Sequence, residues 1–329
     1  MLWRYILRRV GYMVIILIAV SMVGFAIIQL PPGDYLSVYI MNLERAGYDI
    51  TEEQVAGLRQ RYGLDKPPPI QYLKWMWGIF HGDFGYSFEW SRPVFGLVME
   101  RLPLTVLLSV ATMILTYAIA IPIGIYSATH QYSVGDFAAT IFGFIGLAIP
   151  NFLSALILMW VLYSAFGLSI GGLFSQQYLQ APWSAAKVLD LAKHLPVPLI
   201  VIGIGGTAGL IRVMRGCLLD ELRKQYVTTA RAKGVSEARL LLKYPVRIAL
   251  NPIVSTIGWA LPAIVGGETI VAIVLNLPTT GPLLYRALVS QDMYLAGSTV
   301  LFLTFMTVVG MLLSDILLAV MDPRIRYEK

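Results

Sequence analysis

Residues 10–30 read VGYMVIILIAVSMVGFAIIQL, a run of 21 positions without a charged side chain. At ~1.5 Å per helical residue the run covers roughly 31 Å, about one bilayer core. Arg4, Arg8 and Arg9 precede it, as basic residues precede a secretory signal. The run is too long for a signal's apolar region, and no small-residue cleavage site follows it. It reads as a membrane helix that stays in the protein.

The remainder of the chain agrees with that reading. Of 329 residues 57% are hydrophobic and 13% charged, and the mean hydropathy is +0.70. These values lie outside the range of ordinary soluble domains. Further apolar runs fall near 102–128, 138–166, 197–214, 248–276 and 293–320. The expectation is an all-α integral membrane protein with about six transmembrane helices. Pro122 and Pro150 lie inside two of the runs, and membrane helices tolerate proline where neighbours satisfy the freed carbonyls. The fourth run, VPLIVIGIGGTAGLIRVM, is rich in glycine and meets Arg212 early; without it the count is five.

Basic residues give the orientation. With a cytoplasmic N-terminus, the inner segments hold fifteen Lys and Arg against seven acids, and the outer segments ten against twelve. The inside is then +8 and the outside −2, which recovers the formal +6. The basic pI of 9.3 follows from topology and calls for no nucleic acid. Cys217, the only cysteine, lies near the inner side, so there is no disulfide framework. Three regions result: a tail and first helix over 1–30, an extracytoplasmic loop over 31–101, and a five-helix core over 102–329.

The long loop is large enough to fold on the membrane surface. Thr51 and Gln54 form a capping box that opens a helix EEQVAGLRQRYG, with Val55, Leu58 and Tyr62 on one stripe. Gly63 ends it, and KPPP at 66–69 blocks continuation. The next stretch, QYLKWMWGIFHGDFGYSFEW, is aromatic and reads as a belt at headgroup depth; stacking on a passing solute is the alternative. Of the shorter connections, THQYSVGD at 129–136 is an inner turn, 167–196 an outer segment, and NLPTTGP at 276–282 an outer turn.

Several chemistries find no support. No G-x-x-x-x-G-K-[ST] is present, so no P-loop cradles a nucleotide here. IGIGGTAGL lacks the context of a dinucleotide site and suits close helix packing. His81, His130 and His194 are scattered over different loops and build neither a metal nor a catalytic site. Two acids fall within spans, Glu268 about two turns from the outer end of the fifth and Asp315 near the inner end of the sixth. Acids at such depth face a bundle interior or a wet path. Both are candidates for the translocation path or for structural hydrogen bonds.

The stretch QYVTTARAKGVSEARLLLKYPVRIALNP, residues 225–252, is the exception to the apolar pattern. Residues 212–247 carry nine basic side chains, which at ~2.5–3.5 kcal/mol each bars them from spanning. DELRKQYVTTARAK suits one helix with Asp220 and Glu221 at its start and Arg231 and Lys233 at its end, the order the helix dipole favours. Gly234 is placed to take the left-handed conformation after it. Ser236 then caps a second short helix, with Glu237 in its first turn, that ends before Pro245. Thr228, Thr229, Ala230 and Ala232 make a face of small residues that another protein can approach closely. The alternative is a solvated basic loop held near anionic lipid.

That elbow resembles the coupling motif of binding-protein-dependent ABC importer permeases, in the form of the oligopeptide/dipeptide/nickel group. The likeness rests on TARAKG at 229–234, LPPGDYL at 30–36, and YGLDKPPPIQYLKWMWGIFHGDFGYSF with its GLD-x-P and GD-x-G-x-S elements. RPV at 92–94, ERLPLT at 100–105, AIPNF at 148–152 and DPRIR at 322–326 continue it in order along almost the whole chain. A first span at the N-terminus followed by a long loop is similar to the B-type subunit of the pair. The chain departs from the pattern at Thr228, where the broader family has Glu, and at LPTTGP (277–282), which replaces a P-G-L-G turn.

The resemblance implies a second, C-type permease subunit, two ABC ATPase subunits and an extracytoplasmic solute-binding protein, all in the cell membrane of a bacterium or archaeon. ATP and Mg belong to the partner subunits; this chain is expected to need no cofactor and to catalyse no reaction. The coupling region 221–244 transmits ATPase closure through Thr228, Thr229, Ala230, Arg231, Ala232, Lys233, Gly234 and Glu237. Oligopeptides are the implied cargo, with oligosaccharides and nickel complexes as alternatives. A stand-alone secondary transporter would need inverted repeats or a charged pathway, and neither is visible in the sequence.

Overall fold

The computed structural model describes residues 2–30, 65–168 and 170–321, with scattered positions between 36 and 60. Of residues 2–6, 258–267 and 317–321 it describes the backbone alone. The capping-box partner Gln54, Leu58, Tyr62, Gly63, most of LPPGDYL and the terminal DPRIR lie outside the described residues. Helical positions at Glu53, Val55, Ala56, Gly57 and Gln60, and a Val55 N–H donated to the Thr51 carbonyl at 3.1 Å, fall where the loop helix is expected.

Helix α1 (Leu2–Gln29) is followed by α2 (Pro68–Phe80), a two-residue hairpin of β1 (Tyr86–Ser87) and β2 (Arg92–Pro93), and α3 (Val94–Thr129). Then come α4 (Val134–Ala148), α5 (Asn151–Phe166), α6 (Ala185–His194) and α7 (Pro196–Leu222). The chain continues through α8 (Gln225–Ala232), α9 (Glu237–Lys243), α10 (Pro245–Val274), α11 (Thr280–Val289) and α12 (Met293–Met321). In the hairpin, Tyr86 pairs with Pro93 and Ser87 with Arg92, antiparallel.

Among the described residues four helices are long and apolar enough to cross a membrane: Leu7–Gln29, Val94–Thr129, Pro196–Leu222 and Met293–Ile316. The bent pair of α4 and α5, which meet at 106°, makes a fifth crossing if counted as one span. The fifth apolar run, 248–276, lies almost wholly in α10, a continuous helix of 30 residues. The architecture is that of an all-α integral membrane protein. The fourth run is the longer surprise: α7 carries it past Arg212 and Arg215 to Leu222.

The run at 138–166 is not one straight helix, and Pro150 is the local reason. It has no N–H to donate, and it pushes Ile149 to an extended φ of −90° and ψ of 122°. Pro122, chemically identical, sits within the unbroken α3. The difference lies after the proline: the Asn151 amide donates to the Ile202 carbonyl of α7 at 3.4 Å, which holds α5 in its new direction.

The chain divides into two compact units. One comprises residues 6–105 and 279–308. In it α2 runs back along α1: Gln71 meets Gln29 at 3.3 Å, Tyr72 meets Ser21 at 2.9 Å, and the Trp75 ring stacks on Phe25 at 6.0 Å. Trp75 also donates its indole N–H to Ser298 on α12 at 3.3 Å. Tyr72 and Trp75 are therefore packing residues against the apolar run of α1, and the belt reading applies only to exposed rings such as Trp77 and Phe80 (68% and 74% exposed). Val94, Leu97 and Val98 of α3 close against Leu283 and Ala287 of α11 and Leu295 of α12, all buried.

The other unit comprises residues 1–5, 106–278 and 309–329. Helix α7 is its hub. A Cβ on Gly124 of α3 would stand 2.6 Å from Met214, and one on Gly146 of α4 would stand 3.3 Å from the Ile204 carbonyl. Gly203 of α7 itself lies against Thr116, 3.0 Å from a notional Cβ. Small residues let these helices approach as membrane helices do. Ala128, Met214, Leu218, Val246, Ala249 and Ile253 form the apolar cluster that joins α3, α7 and α10.

Candidate coupling elbow and buried polar sites

The elbow begins where α7 ends. Arg223 and Lys224 leave the helix, Lys224 with an extended ψ of 147°, and α8 starts at Gln225. Asp220 and Glu221 thus lie in the last turn of α7 and do not open α8, contrary to the dipole-based expectation. Glu221 instead braces the corner, accepting the Tyr226 hydroxyl at 2.6 Å. Burial, and then this bond to a carboxylate, push the Tyr226 phenol well above its ordinary range.

Helix α8 has two faces. Val227 and Ala230 turn inward and pack with Leu240 of α9. Gln225, Thr228, Thr229 and Ala232 follow the i, i+3, i+4, i+7 rule and lie exposed along one stripe. Ala230, 8% exposed, belongs to the inner face and not to the small-residue face expected from sequence. Thr229 satisfies its own hydroxyl by donating to the Gln225 carbonyl at 2.9 Å. The outer stripe is therefore small and partly self-satisfied.

Gly234 ends α8 as expected. Its φ is +75°, its N–H reaches the Arg231 carbonyl at 3.0 Å, and the Val235 N–H reaches Ala230 at 3.3 Å. This is a Schellman cap, and Val235 packs near Ala230 as such caps favour. No atom lies within 4 Å of a notional Gly234 Cβ. Ser236 occupies the N-cap of α9, but its side chain makes no capping bond. The two short helices are clipped by Arg231, which grips Glu237 through Nε–Oε1 at 2.5 Å and Nη2–Oε2 at 3.0 Å. The guanidinium holds the Glu237 carboxyl below its usual range. Lys233 is exposed beside the cap.

The two intramembrane acids are placed differently. Glu268 of α10 is 1% exposed within its own unit, while Asp315 of α12 is half-buried. Among the described residues no group of three His, Cys, Asp or Glu could hold a metal ion.

Some polar sites carry no strong sequence signal. Asp292, fully buried at the start of α12, accepts the Ser87 hydroxyl at 2.6 Å and the backbone N–H groups of Glu89 and Leu295 at 3.2 Å each. Its carboxyl is pushed up by burial, and those bonds only partly offset the rise. This explains the Ser of the GD-x-G-x-S element. The Asp of the same element, Asp83, accepts the Gly85 N–H at 2.9 Å. Thr280 is also no surface turn residue: it opens α11, fully buried, and its N–H donates to the Thr105 hydroxyl at 2.9 Å. Arg215, read from sequence as part of a solvated basic segment, is half-buried and pairs with the buried Asp136 inside its own unit. Pairing is what allows this charge to stay on a membrane helix.

Comparison with known proteins agrees with the architecture. Residues 120–327 match the binding-protein-dependent transport system inner membrane component family, and residues 1–109 match the N-terminal region of such membrane components. The chain belongs to this family: it is a multi-pass membrane permease. The oligopeptide transport system permease protein AppB of Bacillus subtilis is 36% identical over 98% of this chain and 99% of its own length. A putative peptide permease of Brucella ovis is 32% identical over 98% and 99%. The dipeptide transport system permease protein DppB of Escherichia coli is 31% identical over 99% of each chain.

Proposed function

We propose that this chain forms half of the translocation pathway of an ABC importer for oligopeptides. Two ATPase subunits hold ATP and Mg, one of them seated against this chain's elbow, a second C-type permease completes the pathway, and an extracytoplasmic solute-binding protein delivers the cargo. The observation that carries the reading is the two-faced α8, whose apolar side is buried against α9 while Gln225, Thr228, Thr229 and Ala232 stay open. The peptide permeases among the relatives support the cargo class.

In this reading the N-terminus and elbow are cytoplasmic, residues 31–101 lie outside, and 102–329 form the core. Thr228, Thr229, Ala232, Lys233 and Arg231 face the ATPase, whereas Ala230, Gly234 and Glu237 hold the elbow's shape. Glu268 is a polar contact within the bundle, supported by its burial, and Asp315 is the more accessible of the two acids. Water-phase labelling of Glu268→Cys and Asp315→Cys in a Cys217→Ala background tests both; labelling of either only from the lipid phase rejects its assignment.

Reconstitution tests the function. Liposomes holding this chain with its permease, ATPase and binding-protein partners should take up labelled oligopeptide only with ATP. The chain alone should hydrolyse no ATP and move no peptide. Robust uptake by the lone chain would sink the importer reading.

A further inference from the structure

Asp136 and Arg215 form the best-buried ion pair among the described residues, and the importer reading gives it no task. Asp136 lies in the first turn of α4 and Arg215 about two turns before the end of α7. Arg215 Nε donates to Oδ1 and Nη2 to Oδ2, each at 2.9 Å, a two-pronged grip. The Ser127 hydroxyl of α3 and the Tyr132 N–H, at 3.0 Å, complete the shell of the same carboxylate. Tyr132 holds a φ of +60°, which a non-glycine residue keeps only where neighbours over-determine it. The turn between α3 and α4 is thus organised around Asp136.

The pair stands between two elements that ought to move together. On one side, α7 runs directly into the elbow, and the Glu221–Tyr226 bond braces that corner at 2.6 Å. On the other, α4 lies on α7 over its length, with Gly146 near the Ile204 carbonyl, and ends at the 106° bend before α5. Apolar contacts along α4 and α7 resist separation but allow sliding. A paired guanidinium and carboxylate has directional bonds and resists sliding as well.

We propose that Asp136 and Arg215 are positioning residues that pass displacement of the elbow to the broken span, so that α4 swings with α7 about the bend at Ile149 and Pro150. The proposal rests on the ATPase-driven reading above. It assigns the inner turn at 129–136, which no transport role has claimed, to the coupling route.

The test uses the complete complex in liposomes, with Asp136→Asn, Arg215→Lys and the double variant Asp136→Cys/Arg215→Cys in a Cys217→Ala background. Peptide-stimulated ATP hydrolysis and uptake should fall roughly three- to thirty-fold in all three. ATPase co-purification and basal hydrolysis, each per assembled complex, should stay near wild type in Asp136→Asn, while its thermal midpoint falls because Arg215 loses its charged partner. Bridging the two cysteines with a short bifunctional thiol reagent should restore stimulated hydrolysis, and reductive release of a cleavable bridge should abolish it again. Wild-type stimulation in Asp136→Asn, or losses that merely track the amount of assembled complex, overturn the proposal. A wild-type complex that shows no peptide stimulation at all overturns the importer reading first, and this link with it.

Discussion

The elbow after α8 and the turn that leads into β1 both reverse the chain at a glycine of positive φ, Gly234 at +75° and Gly85 at +84°. Around Gly234 nothing lies within 4 Å of a notional Cβ. Around Gly85 the Tyr294 ring stands at 2.8 Å. Both positions need glycine for their backbone, yet only one needs it for space. A turn packed on all sides is a piece of the core, whereas a turn left open has room for something the chain itself does not supply. The comparison separates a glycine required by backbone and packing together from one required by backbone alone.

Gly85→Val should break the packed turn most severely. It combines left-handed strain of about 1–2 kcal/mol with overpacking of about 1–3 kcal/mol against Tyr294. The thermal midpoint in detergent and the yield of monodisperse protein should both fall. An unaffected midpoint would remove the distinction between the two glycines.

Ser87→Ala acts in the same turn through hydrogen bonding. The buried Asp292 carboxylate loses its shortest bond, at a cost of about 1–3 kcal/mol. Asp292 has a raised carboxyl pKa, so its ionised form opposes folding above the ordinary carboxylate range, and stability is regained as pH falls through the raised value. Midpoints taken across mildly acidic pH should show a smaller penalty for Ser87→Ala at the lower end. A penalty that grows with acidity contradicts this sign.

Gly234→Val should cost the fold only the left-handed strain, about 1–2 kcal/mol, because no neighbour is struck. Its effect should appear in function: membrane insertion intact, ATPase co-purification or peptide-stimulated hydrolysis reduced. Arg231→Glu should reduce the same readouts by opposing Glu237. Thr280 cannot serve as a neutral control, since it is buried and bonded to Thr105; exposed Tyr285 serves better, and Tyr285→Phe should change none of them. Normal docking and transport in Gly234→Val would reduce the elbow to a solvated loop.

The smallest effect concerns the exposed Arg231–Glu237 clip. Glu237 has a depressed carboxyl pKa, so the clip's contribution is present above the unfolded carboxylate range and is lost as pH falls through the depressed value. Amide exchange at Gly234 and Val235 should quicken only at that acidity, and high salt should weaken the clip at neutral pH. Exchange that quickens at neutral pH without salt would show that the Schellman cap, not the clip, carries the elbow.

What could be read from the chain alone follows from local rules. Uncharged runs of bilayer length mark the membrane helices whatever surrounds them, because hydrocarbon leaves the backbone no partner but itself. The left-handed cap at Gly234 and the end of the second short helix before Pro245 were legible for the same reason: each is set by what one residue's own backbone permits. The two-faced α8 was legible only in part. Small residues were visible, but nothing local turns Ala230 inward and leaves Ala232 open; the partner across the elbow, Leu240, decides that.

Tertiary packing decided the remainder. Pro122 and Pro150 carry the same local handicap, yet only the second stands at a 106° bend, where Asn151 is seated on α7. The end of α7 at Leu222 has neither glycine nor proline to mark it; burial of Val227 and Ala230 and the bond from Tyr226 to Glu221 select it. Arg215 looks like one more base in a basic loop until Asp136, 79 positions away, is brought to 2.9 Å. Pairwise charge and close packing depend on separations in space, and a sequence holds those only through the fold it makes.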